Sequence, residues 1–226
     1  MNVKLISHSQ PTKQLANSGL AYAHELVAFC ARVSNPSNQT NTESSDKLIR
    51  YLIKNQHWSP LEMVSVCLEI ETTRDIARQM LRHRSFSFQE FSQRYADPTK
   101  ELEFELRQCR FQDTKNRQNS IPCDGTLGQA LISDEWKRKQ QVLIALAKET
   151  YEWAIKQGIA KEQARAVLPE GNTVSRLYMN GTLRSWIHYI QLRSANGTQS
   201  EHIEIAKKCA EVIAKVFPMA NEFVTE

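Results

Sequence analysis

Met63–Arg84 reads MVSVCLEIETTRDIARQMLRHR, and its period changes in the middle. Val64, Val66, Leu68 and Ile70 alternate with Met63, Ser65, Cys67 and Glu69, the two-residue repeat of a strand. Thr72 or Thr73 can then cap a helix, and Ile76, Ala77, Met80 and Leu81 form its apolar side. Working outward, Val3–Ser7 predicts a first strand and Gly19–Ser34 a helix. Another helix begins near Ser45, with Leu48, Ile49, Leu52 and Ile53 as its stripe. Pro60 bars helix continuation in the HWSP segment that follows. Glu101–Phe111 alternates again and predicts a strand, and Thr114–Gly128 predicts a loop. The longest helix is predicted from a cap at Ser133 or Asp134 to a stop at Gly158. A short helix ending at Pro169, a strand in NTVSRLYMNG and two further helices complete the chain. Strands interleaved with helices, without a regular βαβ repeat, predict an α+β fold: an antiparallel sheet with flanking helices, in a single domain over residues 1–226.

The bulk numbers exclude several classes. At 41% hydrophobic and 24% charged, the composition is that of an ordinary globular protein. No apolar run approaches the roughly 20 residues of a membrane helix, and MNVKLISHSQ lacks signal-peptide architecture. A cytoplasmic protein without a membrane partner is expected. The net charge of +4 is too mild to imply nucleic acid by itself. Five cysteines, an odd number, lie far apart with no CxxC, which argues against a zinc site or a disulfide framework.

Charge is unevenly placed. From Arg74 to Arg94 there are five arginines, no lysine, and only Asp75 and Glu90 to oppose them. Arginine without lysine favours planar, bidentate recognition of phosphate or carboxylate. Within RHRSFSFQEFSQRY (Arg82–Tyr95), Arg82, Arg84 and Arg94 are candidate anion partners. Ser85, Ser87 and Ser92 are candidate hydroxyl donors, and Gln89 and Glu90 candidate contacts to a base or sugar. The plainer alternative is a surface loop whose arginines pair with acids elsewhere. A reading from another class is a single-stranded nucleic-acid binder, with Phe86, Phe88, Phe91 and Tyr95 stacking on bases.

The spacing decides between them. RHRSFSFQEFSQR fits the pattern Arg-His-Arg-x-x-Ser-x-Asn-x-x-Ser-x-Arg at six of its seven fixed positions, with Gln89 in place of Asn. HWSPLE (His57–Glu62), EQARAVLP (Glu162–Pro169), LRSWIHYIQLR (Leu183–Arg193) and the pair Gln199 and Glu201 follow in matching order. On these motifs the chain resembles the flavin-dependent thymidylate synthases. It departs from them at Gln89, at Met63 where histidine is common, and at Thr182 where asparagine is frequent.

The resemblance implies conversion of dUMP to dTMP, with methylenetetrahydrofolate as carbon donor and NADPH as reductant through bound FAD. It implies no cysteine nucleophile, and a homotetramer with shared active sites. Carried over by motif position, Arg193 would stabilise the uracil anion, and His57 would approach flavin or folate as the second catalytic residue. Ser59, Glu62, Arg82, His83, Arg84, Glu90, Thr182, Arg184 and His188 would bind the flavin. Gln79, Arg82, Glu90, Ser92, Gln93, Arg94, Arg165 and Arg193 would bind dUMP. Trp186, Tyr189 and Ile190 are expected in the core or a subunit interface.

Overall fold

The computed structural model describes residues 1–225. Strand β1 (Asn2–His8) precedes helices α1 (Lys13–Asn17), α2 (Ala23–Ala31) and α3 (Ser45–Lys54). Pro60 falls in a 3-10 turn, Ser59–Glu62. Strand β2 (Ser65–Thr73) then runs without a loop into α4 (Arg74–Met80). Next come β3 (Ser87–Glu90), a helical turn α5 (Pro98–Glu101) and the paired strands β4 (Arg110–Gln112) and β5 (Ser120–Pro122). The remainder is α6 (Leu127–Lys156), α7 (Lys161–Ala164), β6 (Val174–Thr182), α8 (Leu183–Ser194) and α9 (Ser200–Ile213).

The main sheet has the order β1-β2-β6-β3, and each neighbouring pair is antiparallel. The expected α+β class with an antiparallel sheet is what forms. The central pair runs from Ser65 opposite Thr182 to Thr73 opposite Val174. A threonine at each end turns the chain into a helix: Thr73 occupies the N-cap of α4, and the Thr182 hydroxyl accepts from the Ser185 amide at the start of α8. Helix α4, which leads into the Arg-His-Arg segment, and helix α8, which carries Arg193, therefore leave from opposite ends of the sheet.

Period-two alternation gives the sheet two unlike faces. Val66, Leu68, Ile70, Leu177 and Met179 are fully buried on the inner one, in one core with Trp186, Ile190, Ile205 and Cys209. Trp186 Nε1 donates to the Val66 carbonyl at 3.0 Å, so the indole keeps a partner inside that core. The other face carries ion pairs, Lys4 to Glu69 at 3.1 Å and Arg176 to Glu71 at 2.6 Å. At Gly181 the ring of Phe86 lies on the strand itself, where a Cβ would stand 2.4 Å from Phe86 Cδ1.

Helix α6 is amphipathic in an unusual sense. Only Gln140, Ile144, Ala147, Tyr151 and Ala154 of its residues are buried, while Leu131, Leu143, Leu146 and Trp153 are exposed. No helix among the described residues is long and apolar enough to cross a membrane.

Three expectations fail. Glu101–Phe111 is not a strand; it makes one isolated bridge, Phe104 to Thr173, and only Arg110–Gln112 is paired. Its alternation reflects burial instead of a ladder, since Phe104 packs against Tyr151, Ala154, Ala164 and Leu168. Thr114–Gly128 is not a plain loop, because Ser120–Pro122 pairs with β4. Helix α6 begins at Leu127 behind Thr126, ahead of the expected cap at Ser133 or Asp134; Asp124 organises that earlier turn by accepting from the Thr126 amide at 2.9 Å. Strand β3, inside the arginine-rich segment, was not foreseen.

Candidate active site

The C-terminal ends of α4 and α8 bring the first group of residues together. Arg193 Nε donates to His83 Nε2 at 2.8 Å. Beside them, the Tyr189 hydroxyl meets His202 Nε2 at 3.0 Å, and His202 Nδ1 meets Gln79 Oε1 at 3.2 Å. Gln79 Nε2 donates to Gln199 Oε1 at 2.8 Å. Burial, then the Arg193 and Arg82 charges, push His83 down to about 4. Burial, Arg193 and His83 push His202 down to about 3. Both imidazoles are therefore neutral near pH 7, and the hydrogen-bond partner of Arg193 is uncharged.

Those two histidines give the fold an acid limit. Unfolded, each titrates near 6.5; folded, they titrate near 4 and 3. Between those values the unfolded chain holds more protons, so stability increases with pH there. Their contribution is complete above about 6.5 and is lost as pH falls toward 4 and then 3. The urea midpoint should fall steadily from about pH 7 to about pH 5, with proton uptake on unfolding. A midpoint that stays level, with no uptake, would mean that the histidines are not held neutral.

A second group lies at the start of α8. Arg184 is ion-paired with Glu62, and His188, one turn on, has its ring 4.4 Å from that of Trp58. Burial and the Arg184 charge lower the His188 pKa. Ser185 Oγ donates to the Ser85 carbonyl at 3.2 Å, which ties the end of the Arg-His-Arg segment to the same helix. Thr182 caps the helix. Ser59 is exposed, as is His57, whose ring meets that of Tyr51 edge-on at 6.2 Å.

The third group surrounds the end of β3. Glu90 Oε1 accepts from Ser175 Oγ at 2.7 Å and from Arg74 at 3.5 Å. Ser92 Oγ accepts from the Arg94 amide at 3.3 Å, Arg94 pairs with Glu162 at 3.3 Å, and Lys161 Nζ donates to the Tyr95 carbonyl at 2.8 Å. Arg165 opens the 3-10 turn that follows α7. Gln93 is 4% exposed, and its Nε2 has no hydrogen-bond partner among the described residues. Among those residues, Arg82, Arg84, Arg165 and Arg193 make no ion pair.

The aromatic side chains do not form a stacking track for bases. Phe86 is 9% exposed and packs edge-on to Trp186 at 4.8 Å, inside the core. Phe88 packs against that core too, leaving only Tyr95 strongly exposed. The nucleic-acid reading fails on this geometry. Sequence reasoning also missed His202 as a site residue and placed Tyr189 in the core or a subunit interface. A signal existed, because His202 lies in the first turn of α9, three residues after Gln199 at its N-cap.

An α+β fold of this class, with an arginine that has no ion pair beside neutral histidines, presents a positive charge at the ends of α4 and α8. Residues 20–219 match the protein family described as "Thymidylate synthase complementing protein". A "Probable flavin-dependent thymidylate synthase" of Paramecium bursaria Chlorella virus 1 is 47% identical over 218 residues, covering 96% of each chain. A "Flavin-dependent thymidylate synthase" of Synechocystis sp. is 46% identical over 219 residues, again 96% of each. Among solved structures, the UMP/dUMP methylase PolB from Streptomyces cacaoi, bound with 5-Br dUMP, superposes with a TM-score of 0.75. It is 26% identical, over 98% of this chain and 93% of that one. The chain belongs to the flavin-dependent thymidylate synthase family. Its activity is that of a methyltransferase that forms dTMP and depends on FAD.

Proposed function

We propose that this chain, working as one domain over residues 1–226, methylates dUMP reductively with methylenetetrahydrofolate as carbon donor and NADPH as reductant. The observation that carries the reading is the charge state of Arg193: its partner is a neutral imidazole, so its positive charge is free for an anion. A cation beside the uracil carbonyl and ring nitrogen stabilises the ring as it becomes a carbon nucleophile. Burial and nearby arginine charge keep His83 unprotonated, so it orients Arg193 without competing for the anion.

The residues present fit FAD. Arg82 and Arg84 are exposed guanidinium groups with no ion-pair partner among the described residues, suited to a pyrophosphate. On the dUMP side, the unpartnered Gln93 Nε2 offers a further donor at a buried position. When bound, FAD relays reducing equivalents between the reductant and the one-carbon unit. Ser59, Glu62, Thr182, Arg184 and His188 would line its side of the site, with His57 at the folate edge. Glu90, bonded to Ser175 and Arg74, would stand between flavin and nucleotide. Gln79 would contact the nucleotide, and Ser92, Arg94 and Arg165 would hold its phosphate. A homotetramer with shared active sites is proposed from the family resemblance alone.

Arg165→Ala should weaken dUMP binding by about tenfold to a hundredfold, since it removes one charge-assisted phosphate contact. Unchanged dUMP affinity in equilibrium dialysis would remove Arg165 from the site. The function itself is tested by the visible spectrum of the purified protein before and after anaerobic NADPH, with and without dUMP. An oxidised flavin band that bleaches, followed by dTMP formation on adding the folate, supports it. No flavin even after adding FAD would refute it.

A further inference from the structure

One buried titratable group is still without a role: His202, which is 0% exposed. We propose that His202 is a positioning residue for the nucleotide site, holding the Gln79 carboxamide in one of its two orientations. This rests on the reading of Gln79 as a dUMP contact.

The hydrogen bonds run in one direction. Gln79 Oε1 carries no proton, so His202 Nδ1 donates to it. In the neutral ring Nε2 is then bare, and it accepts from the Tyr189 hydroxyl. Tyr189 is 1% exposed, and burial keeps its hydroxyl protonated. The amide end of Gln79 donates onward to Gln199.

Reversing Gln79 would turn its NH2 toward Nδ1. The ring would have to take the other tautomer and donate from Nε2 to Tyr189. The tyrosine hydroxyl would then be a buried donor with no acceptor, because His202 is its hydrogen-bond partner among the described residues. An unmade bond of that kind is costly. Tyr189 and His202 therefore fix the positions of the oxygen and nitrogen at the end of Gln79. Gln79 retains one N–H and one oxygen lone pair for a ligand. The His83 ring stands edge-on to Tyr189 at 5.0 Å, so the same tyrosine braces the partner of Arg193.

Asparagine and glutamine at position 202 separate the two ends of the imidazole. His202→Asn places an amide where Nδ1 stands and keeps a donor for Gln79; His202→Gln reaches instead toward Tyr189. Each leaves one buried partner unmatched, so a purely structural role predicts equal losses. The experiment measures dUMP affinity of the flavin-loaded protein by calorimetry, with flavin content and thermal midpoint in parallel. His202→Gln should bind dUMP roughly tenfold more weakly, and His202→Asn within about threefold of the parent. Equal affinities in the two variants would overturn the inference. Gln79→Ala is the control: if it weakens dUMP binding while His202→Gln does not, the inference alone falls. If Gln79→Ala binds dUMP normally, the assignment of Gln79 falls and takes the inference with it. Should neither His202 variant fold, Tyr189→Phe decides. It frees the ring to change tautomer, so severalfold weaker dUMP binding is expected, and unchanged binding would refute the proposal.

Discussion

Arg193→Ala is expected to leave a folded, flavin-containing protein that makes no measurable dTMP. Arg193 lies in the last turn of α8, and among the described residues its side chain hydrogen-bonds only His83, so truncation leaves no carboxylate stranded. The local effect on stability should therefore be small. The effect on chemistry should not be, because loss of one preorganised cationic donor to a developing anion typically costs about 10²–10³-fold in rate. Here the group would face the reacting ring directly, and the loss should be at the upper end or beyond. The assay is single-turnover dTMP formation, with NADPH-dependent bleaching as the internal control for flavin. Bleaching retained with dTMP lost assigns Arg193 to the carbon-transfer half. Turnover near the parent rate would exclude it from catalysis. The same variant has a spectroscopic signature: with Arg193 gone, His83 should titrate above its present value of about 4.

Gly181→Ala should destabilise the protein by about 1–3 kcal/mol, the usual range for overpacking a core, and should impair flavin binding as well. The added Cβ would lie 2.4 Å and 2.6 Å from two ring carbons of Phe86. Phe86 cannot simply swing aside. It is buried against Trp186 and Tyr189, and its backbone amide donates to the His83 carbonyl at 3.2 Å. A methyl group on β6 is thus transmitted to the Arg-His-Arg turn. Urea unfolding and FAD titration read the two consequences separately. Full stability and parent FAD affinity together would show that the ring has room to move.

The central architecture was legible because two independent signals coincide at β2, period-two alternation and a threonine at the N-cap of the next helix. The structure shows the same pair at β6 and Thr182, where the sequence reading had only a strand. Where only one signal was present it misled. Glu101–Phe111 alternates as well, but its hydrophobic side chains pack beside α6 without a partner strand. Strand β3 was hidden for the opposite reason, being four residues long and flanked by arginine. In the site, residues close together in sequence, such as Arg82, His83 and Arg84, could be read as a motif. The alignment of Gln79 with His202 and Tyr189 depends on α8 and α9 packing beside α4, and no local pattern carries that information.

Helix α6 spans 30 residues, a rod of about 45 Å, with Leu131, Leu143, Leu146 and Trp153 turned outward. If other copies of the chain cover that side, stability ceases to be a property of one molecule. Mass action then adds a contribution that grows with the logarithm of subunit concentration. The unfolding temperature would climb as the sample is concentrated, and dilution alone would erode the fold along with the activity.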